Sequence, residues 1–354
     1  MSNNSNTVTC HYYGIDFLRT FSCFAIIIMH IYANGSFDLL SNTAGIIISS
    51  FDSLVYLFMM ISGFGVCSGY YNKVKENTID YNKFYKKRYM KTIPFFGVCL
   101  LLAVIIEHSV QTLIEAFMEL TLSFGLLPNN TLETIGVSWF LGIVFCFYFM
   151  FPFFVFLTYN RKRALLMLII SIVINYLCEY YFFTEKFVVK GFLVRHSFLY
   201  CTPYLITGMI VFLFVDRIKS IIGKYKWQAV LGMSILIVMY YFVPNRIGMI
   251  TVFTLKNIIL YFTILCVAIS FDIKLFNNRL IVYLSSISLE MYLCQMILFR
   301  LAERAKLLYI FGKGWVAFIF SSLLIIILII LFVECYRRMC IILKKIKQNE
   351  VKNR

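Results

Sequence analysis

The sequence predicts an all-α, polytopic integral membrane protein, a bundle of about ten transmembrane helices with its N- and C-termini in the cytosol. Three observations carry that prediction. The first is composition: 61% of the residues are hydrophobic and 14% charged, against about 25% charged in an ordinary soluble domain. Mean hydropathy is +0.83, more apolar surface than a water-soluble chain of 354 residues can hide. The second is clustering, because the apolar residues gather into runs of about 17–23, the length that crosses a hydrocarbon core about 30 Å thick. The third is charge placement. With the N-terminus inside, the inner segments hold 23 Lys and Arg and the outer ones 8, the asymmetry expected of cytosolic loops.

The elements follow in order. Residues 1–9 are polar and lack the basic start of a cleavable signal peptide, so the run 15–33 reads as a retained first helix. The run 47–70 contains Ile61-Ser62-Gly63-Phe64. The segment 72–92 reads as a basic inner loop and leads through Pro94 into a span over 93–107. The apolar stretch 110–127 carries Glu115 and Glu119, which suits an amphipathic or re-entrant piece on the outer side. The aromatic run 138–158 follows, then 164–183, 198–215, 228–243, 249–270, 280–299 and 315–335. The whole of 1–354 reads as one membrane-embedded domain with a polar tail, 1–14, and a basic tail, 336–354.

The net charge of +16 does not point to nucleic acid, because the basic residues lie between the apolar runs, where topology already requires them. The 11 cysteines are mostly isolated within those runs and behave as small hydrophobes. No spacing of Cys or His suggests a metal site or a disulfide framework.

Five groups of polar residues could carry chemistry. In the first span, Asp16 and Arg19 are followed by His30. Eleven residues turn a helix about 20° past three full turns, so Arg19 and His30 share a face about 16 Å apart. Ionisable groups in a span usually face the bundle interior or water, although an interfacial Asp16–Arg19 pair with an incidental histidine fits the same residues. In the second group, Arg88 and Lys91 lie one helical turn apart, and such paired cations suit phosphate; anchoring to the membrane surface is the alternative. The third is Ser285, Ser286, Ser288, Glu290, Tyr292 and Gln295, which reads as a functional lining or as an interhelical hydrogen-bond seam. The fourth is Trp139, placed as an interfacial belt residue, and the fifth is Arg195, which also suits a plain outer loop.

Taken together these segments resemble acyltransferase family 3, membrane O-acyltransferases of surface polysaccharides and other glycans. The resemblance rests on Arg19 and His30 with ten residues between them, on Phe58 to Phe64, and on Arg88 and Lys91 before Pro94. It continues through Trp139-Phe140-Leu141 with Tyr148 and Pro152, and through Ser288-Leu289-Glu290-Met291-Tyr292. Two positions depart from it. Lys91 stands where an arginine is common and keeps the charge without the planar fork. Gln295 stands where a histidine is common and cannot take up a proton.

The resemblance implies transfer of an acyl group, acetyl above all, from cytosolic acyl-CoA to a glycan hydroxyl at the outer face of the plasma membrane. His30 would be the base or a transiently acylated residue. Arg19, Arg88 and Lys91 would hold the CoA phosphates, Asp16 would hold Arg19, and Glu290, Gln295, Trp139 and Arg195 would face the acceptor. Acyl-CoA is then a co-substrate, with no tightly bound cofactor and no metal. Membrane lipids and polysaccharide-assembly machinery are the expected partners. The rivals are a glycan or lipid transporter, which needs no base, and a sensor without turnover.

Overall fold

A computed structural model describes residues 11–352 apart from 40, 41, 127–131, 133, 248, 249 and 272–276. Residues 1–10 of the expected polar tail lie outside the described residues. The helices are α1 (Tyr13–Asn34), α2 (Asn42–Ser50), α3 (Leu54–Lys75), α4 (Tyr81–Glu107), α5 (Val110–Leu120), α6 (Trp139–Leu157) and α7 (Arg161–Leu177). They continue as α8 (Phe198–Leu213), α9 (Val215–Lys224), α10 (Lys226–Phe242), α11 (Phe253–Ser270), α12 (Arg279–Arg304) and α13 (Trp315–Lys352). A two-residue hairpin, β1 (Arg246–Ile247) with β2 (Ile250–Thr251), links α10 to α11.

All ten expected spans coincide with helices, but they are not equally long. Among the described residues eight helical segments are long and apolar enough to cross a membrane, α2 and α3 together forming one of them. The expected span 198–215 is a broken one, because α9 bends 72° away from α8. The expected span 228–243 is α10, of 17 residues. At about 1.5 Å per residue it falls short of a hydrocarbon core about 30 Å thick, and it has no buried residue.

Contacts of α12 with Asp16 on one side and Arg337 on the other place the start of α1 and the far end of α13 at one end of the bundle, here the proximal end. Contacts fix the levels: Ser285 meets Asp16 at the proximal end, and Ser36 meets Tyr309 at the distal one. Helix α1 is central, packed against α3, α11, α12 and α13. Helices α3 and α8 approach most closely, because Gly63 and Gly208 face each other's backbones. A Cβ on Gly63 would fall 2.3 Å from the Leu205 carbonyl oxygen, and one on Gly208 would fall 2.0 Å from that of Met60. Small residues allow such approach between membrane helices, which accounts for the glycine in the Ile-Ser-Gly-Phe segment.

Two local expectations change. The segment 72–92 is not all loop, because α4 starts at Tyr81. Asp80 caps it, accepting from the Lys83 amide at 2.9 Å, and this fixes Arg88 and Lys91 on a rigid helix. Within 110–127 the chain forms the short amphipathic helix α5, whose Glu119 is fully buried. Burial pushes its carboxyl up to about 7, although Ser138, Ile135 and Thr134 lie close enough to favour the charged form.

The proximal end is expected to be cytosolic because most of the Lys and Arg collect there. In a cysteine-free background, Lys83→Cys should resist an impermeant thiol reagent added to intact cells and react once the cells are opened. Labelling in intact cells would invert the topology.

Candidate active site

The site is built on α1, α3, α4, α6 and α12 at the proximal end. Asp16 is buried and accepts from Ser285 Oγ at 2.6 Å, with His11 Nε2 2.6 Å from its second oxygen. This corrects the expected Asp16–Arg19 pair. Among the described residues no carboxylate forms an ion pair with Arg19, because α12 and the residue preceding Tyr12 reach Asp16 first, though Asp16 still acts on Arg19 through space.

Arg19, Arg88 and Lys91 line the mouth of a cavity of about 140 Å³. Arg88 stands over three rings, with its guanidinium carbon 4.8 Å from Tyr148, 5.4 Å from Tyr70 and 5.6 Å from Phe84. Cation–π contact holds the group without using its N–H donors, and Nε is left without a partner. Ser62, Ser285, Ser286 and Ser288 add hydroxyls to the wall, and Phe58, Phe140, Leu141, Val144 and Phe145 make the deeper part apolar. A mouth of fixed cations leading to an apolar interior suits an anionic head with an uncharged arm.

Glu290, expected to face the acceptor, lies instead at this proximal end. It pairs with Arg337 of α13 at 3.3 Å, and both are electrostatic neighbours of Lys91. Arg337 also donates to the Ser286 carbonyl at 3.2 Å. The reason is register: Glu290 is only five residues beyond Ser285, which is anchored to Asp16.

His30 sits two to three turns nearer the distal end than the cavity's cations. Its charged neighbours are Asp52, just before α3, and Arg195, just before α8. Asp52 and Arg195 form an ion pair. The Arg195 guanidinium carbon is 5.7 Å from the Trp139 ring centre, and Trp139 stacks on His196 with centroids 4.6 Å apart at 14°. Burial, helped by Arg195, pushes His196 down to about 3, so it stays neutral. Gln295 is level with His30, because Cys23 donates to the Ser288 carbonyl at 3.3 Å and each of the two residues lies seven further along parallel helices. Gln295 is buried, with neither side-chain polar atom bonded.

The structure thus gathers Arg19, Arg88 and Lys91 at one level and His30, Arg195, Trp139 and Gln295 toward the other end. Sequence reading missed Asp52 and Arg337 and set His196 aside as a residue at an outer span end. Asp52 had a visible signal, a carboxylate at the edge of an apolar run; Arg337 was hidden among the cations of the tail. Among the described residues no group of three His, Cys, Asp or Glu side chains converges as a metal site would require.

A family model described as an acyltransferase domain, that of acyltransferase family 3, matches residues 12–334. No curated protein and no solved structure matches the chain. The match takes in every residue of the site except His11 and Arg337.

Proposed function

The chain belongs to acyltransferase family 3, and on that footing we propose that this membrane acyltransferase moves acetyl from cytosolic acetyl-CoA to a hydroxyl of an exported or surface glycan. The observation that supports this most is the separation of the two clusters. Three cations surround a cavity at the proximal end, and His30, with Asp52 and Arg195 beside it, stands about 16 Å from Arg19 along one face of α1. The extended arm of CoA is of the right order to span that distance.

In this reading the phosphates bind Arg19, Arg88 and Lys91, and the thioester reaches the level of His30. The acceptor hydroxyl gives its proton to the imidazole as its oxygen attacks the thioester carbonyl. The carbon–sulfur bond then breaks, and the imidazolium returns the proton to the leaving thiolate. Histidine suits both steps because its ordinary pKa lies near neutrality. Trp139 and Arg195 supply a flat aromatic and polar surface on the acceptor side, and the Asp52–Arg195 pair holds that side in place. Acyl-CoA is a co-substrate consumed in each turnover. The plasma membrane is the proposed location, with lipids and polysaccharide-assembly machinery as its neighbours there.

The test is release of CoA thiol from acetyl-CoA by purified protein, with and without glycans extracted from cells lacking the gene. Glycan-dependent release with acetyl appearing on the glycan is the expected result. Binding or movement of glycan with no thioester cleavage would establish a transporter instead.

A further inference from the structure

Between the two clusters three aromatic rings meet. Phe58 of α3, Phe140 of α6 and Tyr292 of α12 all line the cavity. Their centroids are 6.0 Å apart for Phe58 and Phe140, 6.5 Å for Phe58 and Tyr292, and 5.5 Å for Phe140 and Tyr292. Each ring comes from a different helix, so together they form a partition rather than a stripe on one element.

Helix arithmetic sets their level. Phe58 is six residues, about 9 Å, from Asp52 on the proximal side. One to two turns further along α3, Gly65 faces Arg19, whose guanidinium would lie 3.5 Å from a Cβ there. Tyr292 is one turn short of Gln295, which is level with His30. The rings therefore stand beyond Arg19 and before His30. Tyr292 belongs to both sides: its ring lines the cavity, and Asp52 and Arg195 are its charged neighbours. Its hydroxyl donates to the Val137 carbonyl at 3.0 Å. Val137 lies in the irregular stretch before α6, so that carbonyl belongs to no helix and can be released at the cost of one hydrogen bond.

A donor held by Arg19, Arg88 and Lys91 would have to pass these rings to present its thioester to His30. We infer that the Phe58–Phe140–Tyr292 layer is the passage taken by the acyl-pantetheine arm, and that its width sets the length of acyl chain the enzyme accepts. The inference rests on the acyltransferase reading above. The rings are apolar enough to admit a desolvated arm, and they are packed closely enough that each methylene beyond acetyl must displace ring atoms that neighbouring helices hold.

The experiment compares acetyl-CoA with butyryl-CoA as donor, using full-length protein in lipid nanodiscs and glycans extracted from cells lacking the gene. Wild type should favour acetyl. Phe58→Ala and Phe140→Ala should shift the butyryl-to-acetyl rate ratio upward by roughly tenfold or more, the scale of methylene discrimination by an apolar pocket. Phe58→Leu and Phe140→Leu, which keep most of the packing, should shift it in the same direction. An unchanged ratio in inserted, active variants would overturn the inference and leave the acyltransferase reading intact. So would leucine variants that lose both donors equally, because a packing defect slows both alike. Absence of transfer by wild type from either donor would instead overturn the acyltransferase reading, and the inference with it.

Discussion

His30→Gln should abolish glycan acylation while leaving the amount of inserted protein unchanged. Glutamine keeps a polar, hydrogen-bonding side chain of similar reach but cannot take up the acceptor's proton. A general base contributes about 10²–10⁴-fold, so a cellular assay should read near zero. His30→Ala should be equally inactive. Among the described residues its imidazole forms no hydrogen bond, so no bonding is lost with the ring. The measurement is acylation per unit of membrane protein. A structural histidine would give the opposite pattern, with Gln rescuing function and Ala lowering the amount of protein rather than its specific activity. Wild-type activity in well-expressed His30→Gln would remove the base from the mechanism.

Arg88→Ala is expected to act on the donor. It removes the guanidinium caged by Tyr70, Phe84 and Tyr148, whose proposed contact with phosphate would be the same in the ground and transition states. Such a contact supplies uniform binding, so KM for acyl-CoA should rise while kcat changes little. A hydrogen bond to a charged group contributes about 1.5–3 kcal/mol, which predicts a KM roughly 10–150-fold higher. Arg88→Lys should fall between the two, because lysine keeps the charge but loses both the planar fork and most of the stacking. Steady-state kinetics over a range of acyl-CoA concentration separates these outcomes. A normal KM in Arg88→Ala would return this turn of α4 to a membrane-anchoring role.

The difference between these two variants reflects where each residue sits. His30 stands beyond the three aromatic rings beside Asp52 and Arg195, whereas Arg88 lines the cavity. That division was partly legible in the amino-acid order. Arg19 and His30 declare a shared face by their spacing alone, and Arg88 and Lys91 declare a shared direction. Glu290 misled, because its place near Tyr292 and Gln295 in the chain says nothing about which level α12 occupies. The hydrogen bond from Ser285 to Asp16 sets that level, and it carries Glu290 to the cationic end. Asp16 misled for the same kind of reason: a carboxylate three residues from an arginine is a natural partner until another helix brings a hydroxyl closer.

What the sequence determined by itself is what depends on local chemistry and on the bilayer. Apolar run length locates the helices, because each must satisfy its backbone within itself in hydrocarbon. The bias of Lys and Arg orders the loops, and periodicity within one helix puts residues on one face. The tertiary structure alone decided what depends on register between helices. It set Asp52 and Arg195 beside His30, brought Arg337 to Glu290, bent α9 away from α8, and brought Phe58, Phe140 and Tyr292 from three helices into mutual contact. Sliding one helix by a single turn moves every such contact about 5.4 Å and leaves hydropathy and charge order unchanged. Contacts between helices, such as the packing of Gly63 and Gly208 against opposing backbones and the Ser285–Asp16 hydrogen bond, select among those registers.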